Sequence, residues 1–159
     1  QNHPAAGLLS VRGAFLLPSL PRCPLLDADG WIHTGDLGRI DEDGLIYIEG
    51  RIKRMIVRYD GFKIFPSMIE KTVSQHPEVE QCCAVGAPDR AHSQGHLPVV
   101  YVVLKPSSVE KKGEVTQDLR EFCQQELPEY AQPVDWHFSD SLPLTSIGKI
   151  DYRALEKLA

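Results

Sequence analysis

The sequence predicts an α+β fold: from about residue 53 onward, a small domain with a central three-stranded sheet, a β-hairpin and packed helices, preceded by strands that read as the tail of a larger domain. Three observations carry this expectation. Residues 97–104, LPVVYVVL, form the most β-prone run of the chain. Two apolar stripes at helical spacing lie on either side of it, one ending at His76-Pro77 and the other at Leu127-Pro128. The residues before Lys53 alternate turns with short β-rich runs and show no core of their own.

From the N-terminus, residues 7–13 read as a short strand and residues 14–17 as a second apolar stretch, after which Pro18, Pro21 and Pro24 break regular structure. Two similar turns follow, Asp27-Ala28-Asp29-Gly30 and Asp41-Glu42-Asp43-Gly44. Each joins acidic residues that tolerate tight turns to a glycine that can take positive φ, and each leads into a β-rich run. Calcium binding is the functional alternative. These turns lack the third ligand position and the distant bidentate Glu of an EF-hand loop, so they read as hairpin turns and no metal site is expected.

After Arg51 the character changes, with Arg51, Lys53, Arg54, Arg58 and Lys63 gathered in one short span. Residues 55–57 and 62–65 form the arms of a hairpin turning at Asp60-Gly61, and Pro66 ends it. Ser67 followed by Glu70 is a capping-box spelling, which assigns Glu70 to a helix cap. Residues 79–85 and 97–104 are strands, and the polar loop between them carries His92 and His96 as solvated side chains. Thr116 caps a helix with the stripe Leu119, Phe122 and Cys123; residues 134–138 are a last short strand; and a loop over 142–150 leads to a terminal helix from Asp151.

Bulk properties narrow the class. The 159 residues suffice for one ordinary domain, or a small domain with a piece of another; they are 42% hydrophobic and 25% charged with a formal net charge of -5. A soluble globular protein is expected and a nucleic-acid surface is not. No apolar run approaches the roughly 20 residues that span a bilayer, and the N-terminus lacks the basic start and apolar core of a signal peptide, so cytoplasm is the expected compartment. Cys23, Cys82, Cys83 and Cys123 form no C-x-x-C pair. The adjacent Cys82 and Cys83 would face opposite sides of a strand as buried or half-buried thiols.

Chemistry concentrates in residues 34–70. Thr34-Gly35-Asp36 at one strand end and Gly50-Arg51-Ile52-Lys53 after another can bracket a sugar diol, because a carboxylate accepts two hydrogen bonds and a guanidinium offers a rigid fork of donors. Together with the Tyr59-Asp60-Gly61-Phe62 turn, Leu127-Pro128-Glu129-Tyr130 and Ser146-Ile147-Gly148-Lys149-Ile150, in that order, the pattern resembles the adenylate-forming superfamily of acyl-CoA synthetases, luciferases and peptide-synthetase adenylation domains. Alone, each element is an ordinary turn or a charged edge; their order and spacing agree with the family from Asp27 to Leu158.

The resemblance implies a division into residues 1–52, the end of a large nucleotide- and acid-binding domain, and residues 53–159, a mobile C-terminal lid. It implies that Asp36, with Thr34, and Arg51 contact the nucleotide, that Lys53 is the hinge on which the lid swings, that Gly61 lines the approach of the pantetheine arm, and that Lys149 is the catalytic lysine of adenylation. ATP, Mg2+ and coenzyme A are the implied cofactors or substrates. The implied partners are a small carboxylic acid and the missing N-terminal domain. Two features depart from the family: Arg54 stands where an acidic residue is common, and residues 14–26 differ from the usual loop. The expected function is the C-terminal part of an ATP-dependent acyl-CoA synthetase, inactive as a fragment. The alternatives are an adenylation enzyme that loads a carrier protein and a non-catalytic module that binds a nucleotide or a partner.

Overall fold

The computed structural model describes residues 7–11 and 27–159, and it divides into two compact units, residues 1–53 and residues 54–159. The apolar stretch 14–17, the proline-rich loop and Cys23 lie outside the described residues.

In the first unit, β1 (Gly7–Val11), β2 (Ile32–Ile40) and β3 (Ile46–Arg51) form an antiparallel sheet in that order. The β2–β3 turn is closed by Asp41: its N–H donates to the Leu45 carbonyl at 3.1 Å, and its Oδ1 accepts from Asp43 N at 3.0 Å and Leu45 N at 2.9 Å. The Leu45 amide bond is the main reason this carboxyl lies below the usual carboxylate range. Asp27 does the same before β2, with Asp29 and Trp31 as donors. Among the described residues of this unit only Gly38 is buried, while Leu8, Ile40, Ile46 and Ile48 are exposed. Among the described residues these strands thus have no core of their own, as their sequence suggested.

The second unit is built on a three-stranded sheet in the order β6-β7-β8: β6 (Val79–Pro88), β7 (His96–Leu104) and β8 (Asp135–Phe138). β7 is central, antiparallel to β6 and parallel to β8. Its alternate side chains enter two cores. Val100, Val102 and Leu104 pack with Ile69 and Val73 of α1 (Pro66–Val73), with Val115, Leu119 and Cys123 of α2 (Lys112–Glu126), and with Ile56 of β4 (Ile56–Val57) and Ile64 of β5 (Lys63–Ile64). Val99, Tyr101 and Val103 pack with Leu142 and with Leu155 of α3 (Tyr152–Glu156). Burial on both faces explains an unbroken apolar run where a half-exposed strand would alternate. Each fully buried Ile or Leu contributes about 1.5–3 kcal/mol.

Cys83 lies in the second core and Cys82 packs against the first, the opposite-face arrangement that adjacency on a strand dictates. Burial pushes both thiols up to about 12 and that of Cys123 up to about 11.

Two helix starts differ from expectation. α1 begins at Pro66 with Phe65 as its N-cap, because proline's fixed φ and missing N–H suit a first helical position. Glu70 is not a cap. Its Oε1 lies 2.5 Å from Arg54 Nη2 and accepts from Ala84 N at 3.0 Å, while Oε2 accepts from Arg54 Nη1 at 3.3 Å; a part-buried guanidinium outcompetes a helix terminus for a carboxylate. α2 begins at Lys112, directly after a 3-10 turn over Pro106–Lys111 pinned by the buried Ser108 hydroxyl on Glu78. Thr116 is therefore inside the helix, and its hydroxyl donates back to the Lys112 carbonyl at 2.6 Å.

The basic residues that open this unit have different surroundings. Arg54 also donates to the Ala84 carbonyl at 3.1 Å, so it joins the start of this unit to α1 and β6. Arg58 donates to the Tyr130 carbonyl at 3.0 Å and to Asp60 Oδ2 at 2.9 Å. Of the second unit's basic hairpin side chains, Lys63 is the exposed one.

Replacing Arg54 by Met leaves Glu70 part-buried without its cation, and urea unfolding of Arg54→Met should show a loss on the order of 3 kcal/mol. A loss within 0.5 kcal/mol, roughly the scatter of surface substitutions, would remove Arg54 as a structural tie. Iodoacetamide labelling of the native protein at pH 8, mapped by mass spectrometry, should leave Cys82, Cys83 and Cys123 unmodified, since their thiols sit about 11 to 12. Rapid native labelling of any of the three would contradict that burial.

Candidate functional site

The first unit brings together the residues expected to clamp a ribose. β2 and β3 pair Asp36 directly opposite Arg51. Arg51 Nε lies 3.0 Å from Asp36 Oδ1, with the Asp36 side chain 19% exposed and that of Arg51 69% exposed. The carboxylate is thus held in the sheet while the guanidinium's outer N–H groups face outward, and those groups have no partner among the described residues. Thr34 is engaged locally: its hydroxyl donates to the Leu9 carbonyl at 3.0 Å and accepts from Asp36 N at 3.1 Å. Thr34 therefore sets the backbone that presents Asp36. His33 is similarly tied, with Nδ1 2.9 Å from Ser10 Oγ and Nε2 3.0 Å from Asp27 Oδ2.

Lys53 is the last residue of the first unit, exposed, in a single 3-10 turn over Ile52–Arg54. The residue after it is the part-buried tie Arg54. A solvated lysine thus stands next to a side chain tied to its own unit.

In the second unit, Gly61 and Lys149 stand on two separate turns of one construction. In each, an N–H donates to the carbonyl four residues on and a glycine at positive φ completes the loop. Arg58 N donates to Phe62 O at 2.9 Å and Gly61 N to Arg58 O at 3.0 Å, with Gly61 at φ 84. Thr145 N donates to Lys149 O at 2.7 Å and Gly148 N to Thr145 O at 2.9 Å, with Gly148 at φ 77. The latter loop is flanked by a bridge between Leu144 and Ile150, and the Thr145 hydroxyl accepts from Lys149 N at 3.2 Å. Residues 146–149 are all exposed, so the Lys149 ammonium projects from a fixed backbone and is not locked within the fold. Nothing within 4 Å would meet a Cβ at Gly61, so its backbone is open to an approaching ligand.

Sequence reasoning left out the surroundings of the Gly61 turn. Phe62 stacks on Tyr130 at 4.7 Å between ring centroids, and Tyr59 stacks on His92 at 3.4 Å. His92, expected to be a solvated loop residue, also bonds Asp89 Oδ2 through Nδ1 at 2.8 Å. No local pattern signals either contact, because the partners lie more than thirty residues away along the chain. The turn at Lys149 was legible in principle: Thr145-Ser146-Ile147-Gly148-Lys149 repeats the spacing of Asp41-Glu42-Asp43-Gly44-Leu45, with a threonine hydroxyl in place of the carboxylate.

Residues 68–149 match the family model described as the AMP-binding enzyme C-terminal domain. A medium/long-chain-fatty-acid–CoA ligase of Mycobacterium tuberculosis is 40% identical over 130 residues, 80% of this chain and 22% of that protein. A 4-coumarate–CoA ligase-like protein of Arabidopsis thaliana is 38% identical over 82% of this chain and 23% of its own length. The chain thus spans about a quarter or less of the curated relatives it matches. Among solved structures, o-succinylbenzoate CoA synthetase from Bacillus subtilis, in complex with an acyl-adenylate intermediate, superposes with a TM-score of 0.77 at 28% identity, covering 98% of this chain and 31% of that one. The anthranilate CoA ligase AuaEII reaches a TM-score of 0.82 at 24% identity over the whole of this chain and 31% of its own, a likeness of fold. With more than half of its residues inside the family model and its fold reproduced in solved ligases of that kind, the chain belongs to the AMP-binding enzyme C-terminal domain family.

Proposed function

We propose that this chain is the C-terminal part of an ATP-dependent, AMP-forming acyl-CoA synthetase, with residues 1–52 ending its large domain and residues 53–159 forming its mobile lid. The whole enzyme joins a carboxylic acid to ATP as an acyl-adenylate with release of pyrophosphate, and then transfers the acyl group to the thiol of coenzyme A with release of AMP. The observation that carries this reading is the Asp36–Arg51 pair at 3.0 Å, with the carboxylate held in the sheet and the guanidinium exposed. That arrangement suits a ribose diol beside a phosphate, and it falls in a segment that CoA ligases share with this chain.

The roles follow from chemistry. Asp36 accepts from the ribose hydroxyls, Arg51 donates to the ribose or phosphate side, and Thr34 holds the strand that presents Asp36. Lys149 supplies a cation that bridges the substrate carboxylate and the α-phosphate, where the charges of two oxyanions converge. Lys53 is the hinge, and Gly61 admits the pantetheine arm in the second step. Magnesium accompanies the nucleotide as its counter-ion. Among the described residues no group of three or more His, Cys, Asp or Glu gathers to hold a metal. The fragment alone is inactive, since it supplies a lysine and a lid and the acid pocket belongs to the larger domain. The enzyme works in a compartment that supplies ATP and coenzyme A, with the cytoplasm as the default.

Two measurements on the full-length enzyme test the roles. Lys149→Ala should lower acid-dependent pyrophosphate exchange by about 100-fold or more while sparing thioester formation from a supplied acyl-adenylate; equal loss of both steps contradicts the assignment. Gly61→Leu should do the reverse, lowering thioester formation about 10- to 100-fold with exchange retained, and an unchanged thioester rate sinks that role. Replacing coenzyme A by a carrier protein in the second assay identifies the acceptor.

A further inference from the structure

We propose that the loop between β6 and β7 is the seat that sets the pose of the Gly61 turn, with His92 and Gly95 as positioning residues for thioester formation. This rests on the reading of Gly61 given above and adds residues that the family resemblance does not assign.

The hairpin that carries Gly61 cannot hold its own tip. β4 and β5 are two residues each, with Ile56 opposite Ile64 and Val57 opposite Lys63. So short a hairpin is at best marginally stable in isolation. The internal hydrogen bonds of the turn fix its shape, so its position against the sheet has to come from contacts outside it.

Two such grips are present. On Arg58 and Phe62, Tyr130 provides the first: its carbonyl accepts from Arg58 Nη1 at 3.0 Å, and its ring stacks on Phe62. The second comes from residues 89–95 and meets Tyr59, two residues before Gly61. The His92 ring lies 3.4 Å from the Tyr59 ring between centroids and within 5° of parallel. His92 is itself tethered through Nδ1 to Asp89 Oδ2 at 2.8 Å. Asp89 is only 7% exposed, accepts from Ala91 N at 2.9 Å through Oδ1, and its N–H donates to the Gly95 carbonyl at 3.1 Å.

At Gly95 the two segments meet backbone to backbone. Its φ is 108, and a Cβ there would stand 2.8 Å from Tyr59 Cα and 3.0 Å from the Arg58 carbonyl carbon, and closer still to Tyr59 N. Both φ and space exclude a side chain, so any larger residue moves the turn or the loop. An error of about 1 Å in a catalytic approach costs up to about 100-fold in rate. The loop is thus placed to govern the step that uses Gly61 and has no counterpart reason to affect the step that uses Lys149.

The test uses the full-length enzyme and both half-reactions. Gly95→Ala and His92→Ala should each lower thioester formation from supplied acyl-adenylate by about 10-fold, with pyrophosphate exchange within about twofold of the parent, and His92→Phe, which keeps a flat ring against Tyr59, should recover most of the loss. Parent-level thioester formation in both variants, with Gly61→Leu impaired, overturns the seat and leaves the reading of Gly61 standing. Parent-level thioester formation in Gly61→Leu itself overturns that reading and the seat with it. Equal loss of both half-reactions reduces the loop to general structural support and also overturns the proposal. Should Gly95→Ala fail to fold, the His92→Ala and His92→Phe pair decides between these outcomes.

Discussion

The turns that carry Gly61 and Lys149 depend on a single closure: a backbone N–H bonded to the carbonyl four residues on, made possible by a glycine at φ 84 or 77 in the fourth position. A side chain in that left-handed region costs about 1–2 kcal/mol, which is why glycine recurs there. The same closure appears at Gly30 and Gly44, at φ 80 and 82, where an aspartate side chain reinforces it. A rigid loop of three residues lets an exposed group stand away from the sheet without the entropy loss that ordering a long loop would require. The structure thereby presents a cation on one tip and bare backbone on the other.

The elements that carry both turns are anchored in the double-faced core around β7. Burying Val100 and Val102 on one side and Val99, Tyr101 and Val103 on the other leaves the strand no freedom to slip, since a shift by one residue would exchange the two faces. α3 and the Lys149 loop belong to one side of that sheet, and α1, α2 and the short hairpin to the other. The Arg54–Glu70 pair completes this support at the start of the unit. A part-buried ion pair adds little net stability compared with an apolar pair, but its two-pronged geometry is restrictive, which suits a residue directly after the proposed hinge.

Much of this was readable from residues 27–158. The turns at Gly30 and Gly44 announce themselves through Asp-x-x-Gly spacing, the central strand through LPVVYVVL, and the Asp36–Arg51 juxtaposition through their places at strand ends. The misreadings share a cause. Glu70 and Thr116 both satisfy a local capping pattern, yet Glu70 finds a guanidinium and a strand amide, and a pinned 3-10 turn starts the helix before Thr116. Local rules rank partners within a few residues, and a charged partner from a distant element outranks them when both are part-buried. His92 is exposed, as its polar loop suggested, but its stacking on Tyr59 could not be read because the partner lies 33 residues away.

The amino-acid sequence by itself determined the elements, the turn chemistry, the family, and which side chains are candidates for nucleotide contact, hinge and catalysis, because these depend on residue type at short spacing. Tertiary structure alone decided that Arg54 is a structural tie, that Thr34 spends its hydroxyl on the sheet, and that His92 and Gly95 bear on the Gly61 turn. Each of those outcomes is a competition among partners brought together only when the chain folds, and the strength of a hydrogen bond or stacked pair is set by burial and geometry that no linear spacing encodes.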